Sequence, residues 1–243
     1  MSERSKPLIT IGSGENNKRS DRIVSSPAQP ASPQPSGADL VFVIDTTGSM
    51  SDKIDGLLAT CARFTQEFAA LRLNHRIAVM AFGDLNVPGD RIQVTGFTDN
   101  LDTTLKSLRN IPRFGGGGNE GESSLEAMEK AIGLPYRSGA VKVLILITDE
   151  PAHQRRLKAS EITARLAQGE FLVFTVTPPY NYFKEMAARN GGRWYRISAS
   201  TDFTDLLKIF EQVARHVSQA VSDVYRLGDG RVSGYLKTRP PEK

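Results

Sequence analysis

The sequence reads Leu40-Val41-Phe42-Val43-Ile44 and continues directly into Asp45-Thr46-Thr47-Gly48-Ser49-Met50. An apolar run of β-branched, aliphatic and aromatic residues predicts a strand that is buried on both faces, as in the centre of a parallel α/β sheet. The polar segment then lies at the carboxyl end of that strand, where open α/β sheets bind their ligands. Asp45, Thr47 and Ser49 offer one carboxylate and two hydroxyls at alternate positions, which are the hard oxygen donors that Mg²⁺ prefers.

Two later segments carry related chemistry. One is a glycine-rich loop, Gly116-Gly117-Gly118-Asn119-Glu120-Gly121-Glu122-Ser123, and the other is an apolar strand that ends in an acid, Leu144-Ile145-Leu146-Ile147-Thr148-Asp149-Glu150-Pro151-Ala152-His153. If the strands before Asp45 and Asp149 are neighbours, both carboxylates converge at one edge of the sheet. Because two close carboxylates repel each other, a divalent cation is the usual way to neutralise them.

Together, the three segments resemble the metal-ion-dependent adhesion site of the von Willebrand factor type A (VWA) domain family, in the Asp-Thr-Thr-Gly-Ser-Met form of bacterial intracellular members. The glycine loop is similar to the family's Gly-Gly-Gly-Asp-x-Pro-Glu-Ser pattern, and the resemblance runs from about residue 38 to about residue 220. It implies an all-oxygen site for Mg²⁺ or Mn²⁺ formed by Asp45, Thr47, Ser49, Asn119 and Asp149. Asn119 departs from the pattern, because the family usually has Thr or Asp there, and its amide oxygen adds no charge.

The pattern beyond these motifs predicts an α/β fold. Apolar runs predict strands over residues 40–44, 75–82, 141–147 and 171–177, alternation predicts an edge strand over residues 91–98, and a last strand is expected over residues 193–198. Amphipathic periodicity predicts helices over residues 51–71, 101–111, 123–132, 155–168, 182–189 and 203–217. Strands that alternate with helices are typical of a doubly wound, mostly parallel sheet with helices on both faces. Residues 91–98 follow a Pro-Gly turn and predict one antiparallel edge strand, so the expected architecture is the VWA or Rossmann-like one.

Composition predicts one folded domain with two tails. Residues 1–37 include a Pro/Ser-rich stretch and lack apolar periodicity, so we expect a disordered tail there. The VWA domain is expected over residues 38–220, with a carboxyl-terminal tail over residues 221–243. A chain of residues 38–220 should therefore melt near the temperature of the full-length chain.

Charge and hydropathy exclude several classes of protein. The net charge is +4, but residues 38–220 carry equal numbers of basic and acidic side chains, which disfavours nucleic acid as a partner. No stretch approaches the ~20 apolar residues that span a bilayer, and residues 1–7 lack the apolar core of a secretory signal. The single cysteine, Cys61, fits a reducing compartment, so a cytoplasmic location without membrane association is expected.

The resemblance implies a function without catalysis. Family members of this type bind an acidic residue of a partner protein through the metal, so we expect a protein-binding adaptor in a bacterial AAA+ ATPase, kinase/phosphatase or stress-response system. One alternative is a Mg²⁺-dependent phosphohydrolase, although such enzymes usually need a second carboxylate where this chain has Thr47. Another is a structural VWA domain with a vestigial metal site. Asp84 and His153 are expected to act near the site, if at all, as hydrogen-bonded supports.

Overall fold

The structure is a computed structural model that describes residues 37–70, 74–116, 121–198 and 200–238. Its strands are β1 Ala38–Asp45, β2 His75–Phe82, β3 Ile92–Val94, β4 Val141–Ile147, β5 Phe171–Thr177 and β6 Trp194–Arg196. Its α-helices are α1 Ser51–Ala70, α2 Leu101–Arg109, α3 Ser124–Ile132, α4 Ala159–Gln168, α5 Asn181–Arg189, α6 Phe203–Gly228 and α7 Val232–Thr238. Apart from Gly37, the tail predicted over residues 1–37 lies outside the described residues.

The six strands form one sheet in the order β3-β2-β1-β4-β5-β6. β1 is parallel to β2 and β4, and β5 is parallel to β4 and β6, whereas β3 runs antiparallel to β2 at one edge. The predicted fold class is therefore confirmed, including the antiparallel edge strand. The carboxyl ends of the parallel strands all point the same way. The loops after β1, β2, β4 and β5 therefore lie together along that end of the sheet, which is called the carboxyl edge below.

The sheet separates two hydrophobic cores. Leu40, Phe42 and Ile44 of β1 pack on one face with residues of α1 and α6, and Val41 and Val43 pack on the other with residues of α3, α4 and α5. Every residue of β1 is buried. Burial on both faces explains why the sequence of this strand shows no alternation of apolar and polar residues.

Two predicted elements differ from the observed ones. The edge strand spans Ile92–Val94 instead of residues 91–98, because Thr98 makes only an isolated bridge with Ile77 within the described part of the chain. The helix predicted from residue 155 begins at Ala159. Residues 155–158 are irregular, and the backbone amide of Ala159 donates to the side chain of Gln154 at 3.2 Å.

The carboxyl-terminal helices extend the core beyond the predicted boundary. α6 continues through residue 220 to Gly228, and α7 then folds back against it. The backbones of α6 and α7 approach each other closely at Gly228, since a Cβ added there would lie 2.6 Å from the amide nitrogen of Tyr235. Four of the described residues beyond position 220 are buried in the hydrophobic core that also contains residues of α1: Val221, Val224, Val232 and Tyr235. Each helix in the described part of the chain is too short or too polar to span a membrane.

An ion cluster closes the opposite edge of the sheet, at the amino ends of the strands. Asp39 is fully buried in β1 and accepts hydrogen bonds from the Arg76 side chain at 2.6 and 3.0 Å. It also accepts from the backbone amide and side chain of Arg137 at 2.7 and 2.9 Å. Burial would raise the pKa of Asp39, but these hydrogen bonds and the Arg137 charge hold it below its usual value.

We expect Asp39→Asn to lower the free energy of unfolding by about 3 kcal/mol, because it removes the negative charge from a buried ion cluster and leaves two arginines without the carboxylate that balances their charge. This corresponds to a fall of about 9 °C in the melting temperature of a chain of this size. Because the folded pKa lies below 3.8, the difference between the two proteins should be complete above about pH 3.8 and shrink as the pH falls further.

Asp55→Asn is the matched control for this measurement. Asp55 forms a surface pair with Arg113 at 3.4 Å, and its side chain is 82% exposed. Such pairs contribute little, so denaturant unfolding should give a free energy close to that of the unchanged chain. Equal losses from both substitutions would contradict a stabilising role for the buried cluster.

Candidate metal centre

Four of the five predicted ligand residues lie together at the carboxyl edge of the sheet. Asp45 is the last residue of β1, and Asp149 follows the end of the adjacent strand β4 by two positions. The hydroxyl of Thr148, between β4 and Asp149, donates to Oδ2 of Asp45 at 2.6 Å. Neighbouring strands therefore bring the two acids to one place, as the sequence predicted.

The turn after β1 positions the hydroxyls. The backbone amide and hydroxyl of Thr47 donate to Oδ1 of Asp45 at 3.0 and 2.6 Å, and the hydroxyl of Ser49 donates to Oδ1 of Asp149 at 2.8 Å. The hydroxyl oxygens of Thr47 and Ser49 are 3.4 Å apart. Asp45 and Thr47 are buried, whereas Ser49 is exposed, so the cluster opens to solvent on the Ser49 side.

The fifth predicted ligand, Asn119, lies outside the described residues. The two described ends of its loop are both attached close to the site. The amides of Gly115 and Gly116 donate to the carboxylate of Asp90 at 3.2 and 3.0 Å. Glu122 donates its amide to the carbonyl of Pro151 at 2.9 Å, which ties the loop to the segment that follows Asp149.

Glu122 is a site residue that the sequence-based ligand set omits. Its side chain is buried, and Oε2 has no hydrogen-bond partner among the described residues. A Cβ added to Gly116 would lie 3.1 Å from both Oε1 of Glu122 and Cβ of Thr47, so the carboxyl group is close to the Asp45 turn. The signal was present in the resemblance, because Glu122 stands at the Glu of the glycine-loop pattern.

The electrostatics of the cluster favour a cation. Burial raises the pKa of Asp45 to about 6, despite hydrogen bonds from Thr148 and Thr47. Burial and the nearby charges of Asp45 and Asp84 raise the pKa of Glu122 to about 8. Both shifts mean that negative charge is poorly solvated there, and a bound cation is the usual compensation.

The donors present fit a hard divalent cation. Among the described residues, no three His, Cys, Asp or Glu side chains are grouped as a complete metal cage. A cation would therefore need the hydroxyls of Thr47 and Ser49 in addition to carboxylates. An all-oxygen set of this kind suits Mg²⁺ or Mn²⁺ rather than Zn²⁺.

Asp84 and His153 form a neighbouring pair that supports the loops. Nε2 of His153 lies 3.3 Å from Oδ1 of Asp84, which also accepts from the backbone and side-chain amides of Asn86 at 2.9 and 2.8 Å. Burial opposes the shift, but the hydrogen bonds from Asn86 and the nearby imidazole of His153 lower the pKa of Asp84. Next to this pair, the hydroxyl of Ser123 accepts a hydrogen bond from the amide of Leu85 at 2.9 Å, and this bond links the loop after β2 to the start of α3.

A basic residue that sequence reasoning did not select also enters the cluster. Nζ of Lys53, on the first turn of α1, lies 2.9 Å from Oδ2 of Asp149. The side chains of Lys53 and Asp149 are only 6% and 1% exposed. The helix periodicity gave no signal for this contact, because lysine in the first turn of an amphipathic helix is ordinarily solvated.

Comparisons with known proteins agree with this architecture. A family model described as the von Willebrand factor type A domain matches residues 39–212. Among curated proteins, the chain is similar to the alpha-protein kinase vwkA of Dictyostelium discoideum, with 28% identity over 120 residues. That match covers 47% of this chain and 19% of the kinase, so the chain corresponds to a small part of its relative.

Solved structures show the same fold. Proximal thread matrix protein 1 from the mussel byssus has a TM-score of 0.56 and 17% identity, over 74% of this chain and 46% of that one. The pilus adhesin SpaC from Lactobacillus rhamnosus GG, in its open conformation, has a TM-score of 0.55 and 12% identity, over 76% of this chain and 30% of that one. At these identities the similarity shows the fold alone.

Proposed function

Because the chain belongs to the von Willebrand factor type A domain family, we propose that it is a metal-dependent protein-binding module that captures an acidic side chain of a partner protein. One observation carries the proposal. Asp45 and Asp149 meet at an edge of the sheet, joined to the hydroxyls of Thr47 and Ser49 by hydrogen bonds of 2.6 and 2.8 Å. Two carboxylates and two hydroxyls are thus held together where the negative charge of Asp45 is poorly solvated, which favours a bound cation.

In the proposed complex, Mg²⁺ or Mn²⁺ is held by Asp45, Thr47, Ser49, Asn119 and Asp149, directly or through water. Glu122 is added as an acidic residue beside this set, because its buried carboxyl group lies next to Thr47. A bound cation supplies a positive charge with a remaining coordination position. Since Ser49 is the exposed member of the cluster, the partner carboxylate approaches from that side.

The surface around the site supports protein docking. Three large apolar side chains are exposed among the described residues, and two of them, Leu85 and Tyr180, follow β2 and β5 at the edge that carries Asp45 and Asp149. β2 and β5 flank β1 and β4, so the strands that lead to the two apolar residues are about 14 Å apart. Apolar anchors on both sides of a charged centre suit a protein interface better than a small-molecule site.

A catalytic function is less well supported. A phosphohydrolase would need an acid/base group two residues after Asp45. Thr47 stands there, and its hydroxyl donates to Asp45 itself.

The kinase name of the relative vwkA makes a protein kinase the first class of partner to test, followed by an AAA+ ATPase or a phosphatase. A cytoplasmic adaptor role, in a stress response or another pathway, belongs to this proposal.

Ser49→Ala tests the proposed capture. The partner is first identified by co-purification in Mg²⁺, and its affinity for the purified chain is then measured by calorimetry. We expect Ser49→Ala to weaken partner binding about tenfold or more, because the substitution removes a metal donor. EDTA should abolish binding to the unchanged chain.

The matched control is Ser107→Ala on α2, whose exposed hydroxyl donates to the carbonyl of Thr103 within the helix. This variant should bind the partner like the unchanged chain. If the partner binds equally well in EDTA and to the Ser49→Ala protein, the chain is instead a VWA domain with a vestigial metal site.

A further inference from the structure

Lys53 is almost completely buried beside the candidate metal centre. Its Nζ atom lies 2.9 Å from Oδ2 of Asp149 and 3.0 Å from the backbone carbonyl oxygen of Ser49. Lysine is rarely buried in proteins unless its charge is paired. Here the pairing partner is one of the two carboxylates that the proposed metal site needs.

Both oxygens of Asp149 are engaged by this arrangement. Oδ1 accepts a hydrogen bond from the hydroxyl of Ser49 at 2.8 Å, and Oδ2 accepts one from the ammonium group of Lys53 at 2.9 Å. A divalent cation would require a lone pair from Asp149 and another from Ser49. The protein therefore presents a positive charge of its own on a carboxylate that the proposed metal site uses.

We infer that the ammonium group of Lys53 is a built-in cation of the metal site. It neutralises the charge of Asp149 in the metal-free protein and lowers the affinity for a divalent cation. This inference rests on the proposed function and adds a residue that sets its metal affinity. A lysine charge held on one of the proposed ligands would repel a divalent cation even at the effective dielectric of a protein surface, so the affinity should be about tenfold or more below that of the same site without Lys53.

A second feature of the chain acts in the same direction. Asn119 contributes no charge where the resembled family usually has Thr or Asp. Lys53 further offsets one of the two aspartate charges in the proposed ligand set. Both features reduce the net negative charge that attracts a divalent cation, so the cation should be held less tightly and released more readily. The site is thus suited to exchange its metal in response to concentration or partner binding.

The decisive variants are Lys53→Met, which removes the charge and keeps most of the length, and Lys53→Gln, which also keeps a hydrogen-bond donor. Calorimetric titration with Mn²⁺ and Mg²⁺ should show binding about tenfold tighter, or more, in each variant. In EDTA, the melting temperature of Lys53→Met should fall below that of the unchanged chain, because Asp149 is left buried without its counter-ion. Tighter metal binding with a less stable metal-free fold is a combination that a purely structural lysine does not give.

Two controls separate charge at the site from charge in general. Lys53→Arg keeps the positive charge and should retain the weak metal affinity. Lys208→Met removes a positive charge from an exposed position on α6, where the side chain is 67% exposed, and should leave both metal affinity and melting temperature unchanged. If Lys53→Met does not fold in EDTA, the titration of Lys53→Gln decides the question.

The outcomes distinguish this inference from the function on which it rests. If the unchanged chain binds metal through Asp45 and both uncharged Lys53 variants bind it equally or more weakly, the role of Lys53 is wrong and the metal-dependent module stands. If neither the unchanged chain nor Lys53→Gln binds metal, both are wrong. Binding that appears only when Lys53 is neutral would show that Lys53 blocks the site.

Discussion

Asp45→Ala should bind Mg²⁺ or Mn²⁺ at least about 100-fold more weakly than the unchanged chain. Replacement of residues that merely orient a ligand typically costs 10- to 100-fold in metal affinity, and Asp45 is proposed as a ligand itself. The substitution also removes the acceptor that holds the hydroxyls of Thr47 and Thr148 at 2.6 Å, so the remaining donors lose their orientation. Isothermal titration calorimetry measures the effect.

Asp45→Asn and Asp102→Ala complete this experiment. The amide variant keeps a hydrogen-bond acceptor but lacks the charge, and it should lose nearly as much affinity as the alanine variant. Asp102 lies exposed in the first turn of α2, so its removal should leave the titration unchanged. Equal metal affinity in the unchanged chain and in Asp45→Ala would refute the assignment of the site.

Metal affinity should also rise with pH. Burial raises the pKa of Asp45 to about 6 and that of Glu122 to about 8. Below these values protons compete with the cation for the carboxylates, so affinity should increase from pH 5 to pH 8 and binding should release protons. Titrations in buffers of different ionisation enthalpy count the released protons, and a pH-independent affinity would contradict binding through these acids.

Truncation after Ala220 should lower the melting temperature by about 15 °C or more. The lost segment contributes Val221, Val224, Val232 and Tyr235 to the core. Each buried valine contributes about 1.5–3 kcal/mol, so the combined loss is about 6 kcal/mol or more. A chain of this size loses roughly 2–4 °C for each kcal/mol. We therefore propose a domain that extends through α7, whereas the composition predicts that residues 38–220 suffice.

The comparison requires two further chains. A chain that ends at Thr238 should melt near the temperature of the full-length chain, because α7 and its contacts are retained. A chain of residues 37–238 should behave in the same way if the first 36 residues are dispensable, as their composition predicts. Melting of the chain that ends at Ala220 within about 2 °C of these references would return the domain boundary to residue 220.

The sequence by itself determined the fold class and four members of the candidate site. Runs such as 40–44 and 143–147 are apolar throughout because both faces of the central strands are buried. This property is local, so it can be read without knowledge of the partner strands. Asp45, Thr47, Ser49 and Asp149 stand at the ends of such runs, and the end of a strand is also a local property.

Only the tertiary structure decided which distant charges meet. Asp39 contacts arginines 37 and 98 positions away, and Lys53 contacts Asp149 across 96 positions. The burial of Glu122 depends on where its loop joins the segment after β4. Strand order and loop docking create these contacts, and they are set by the packing of whole elements. A charged residue in a surface loop or first helical turn therefore has the same local pattern whether it is solvated or buried against a partner.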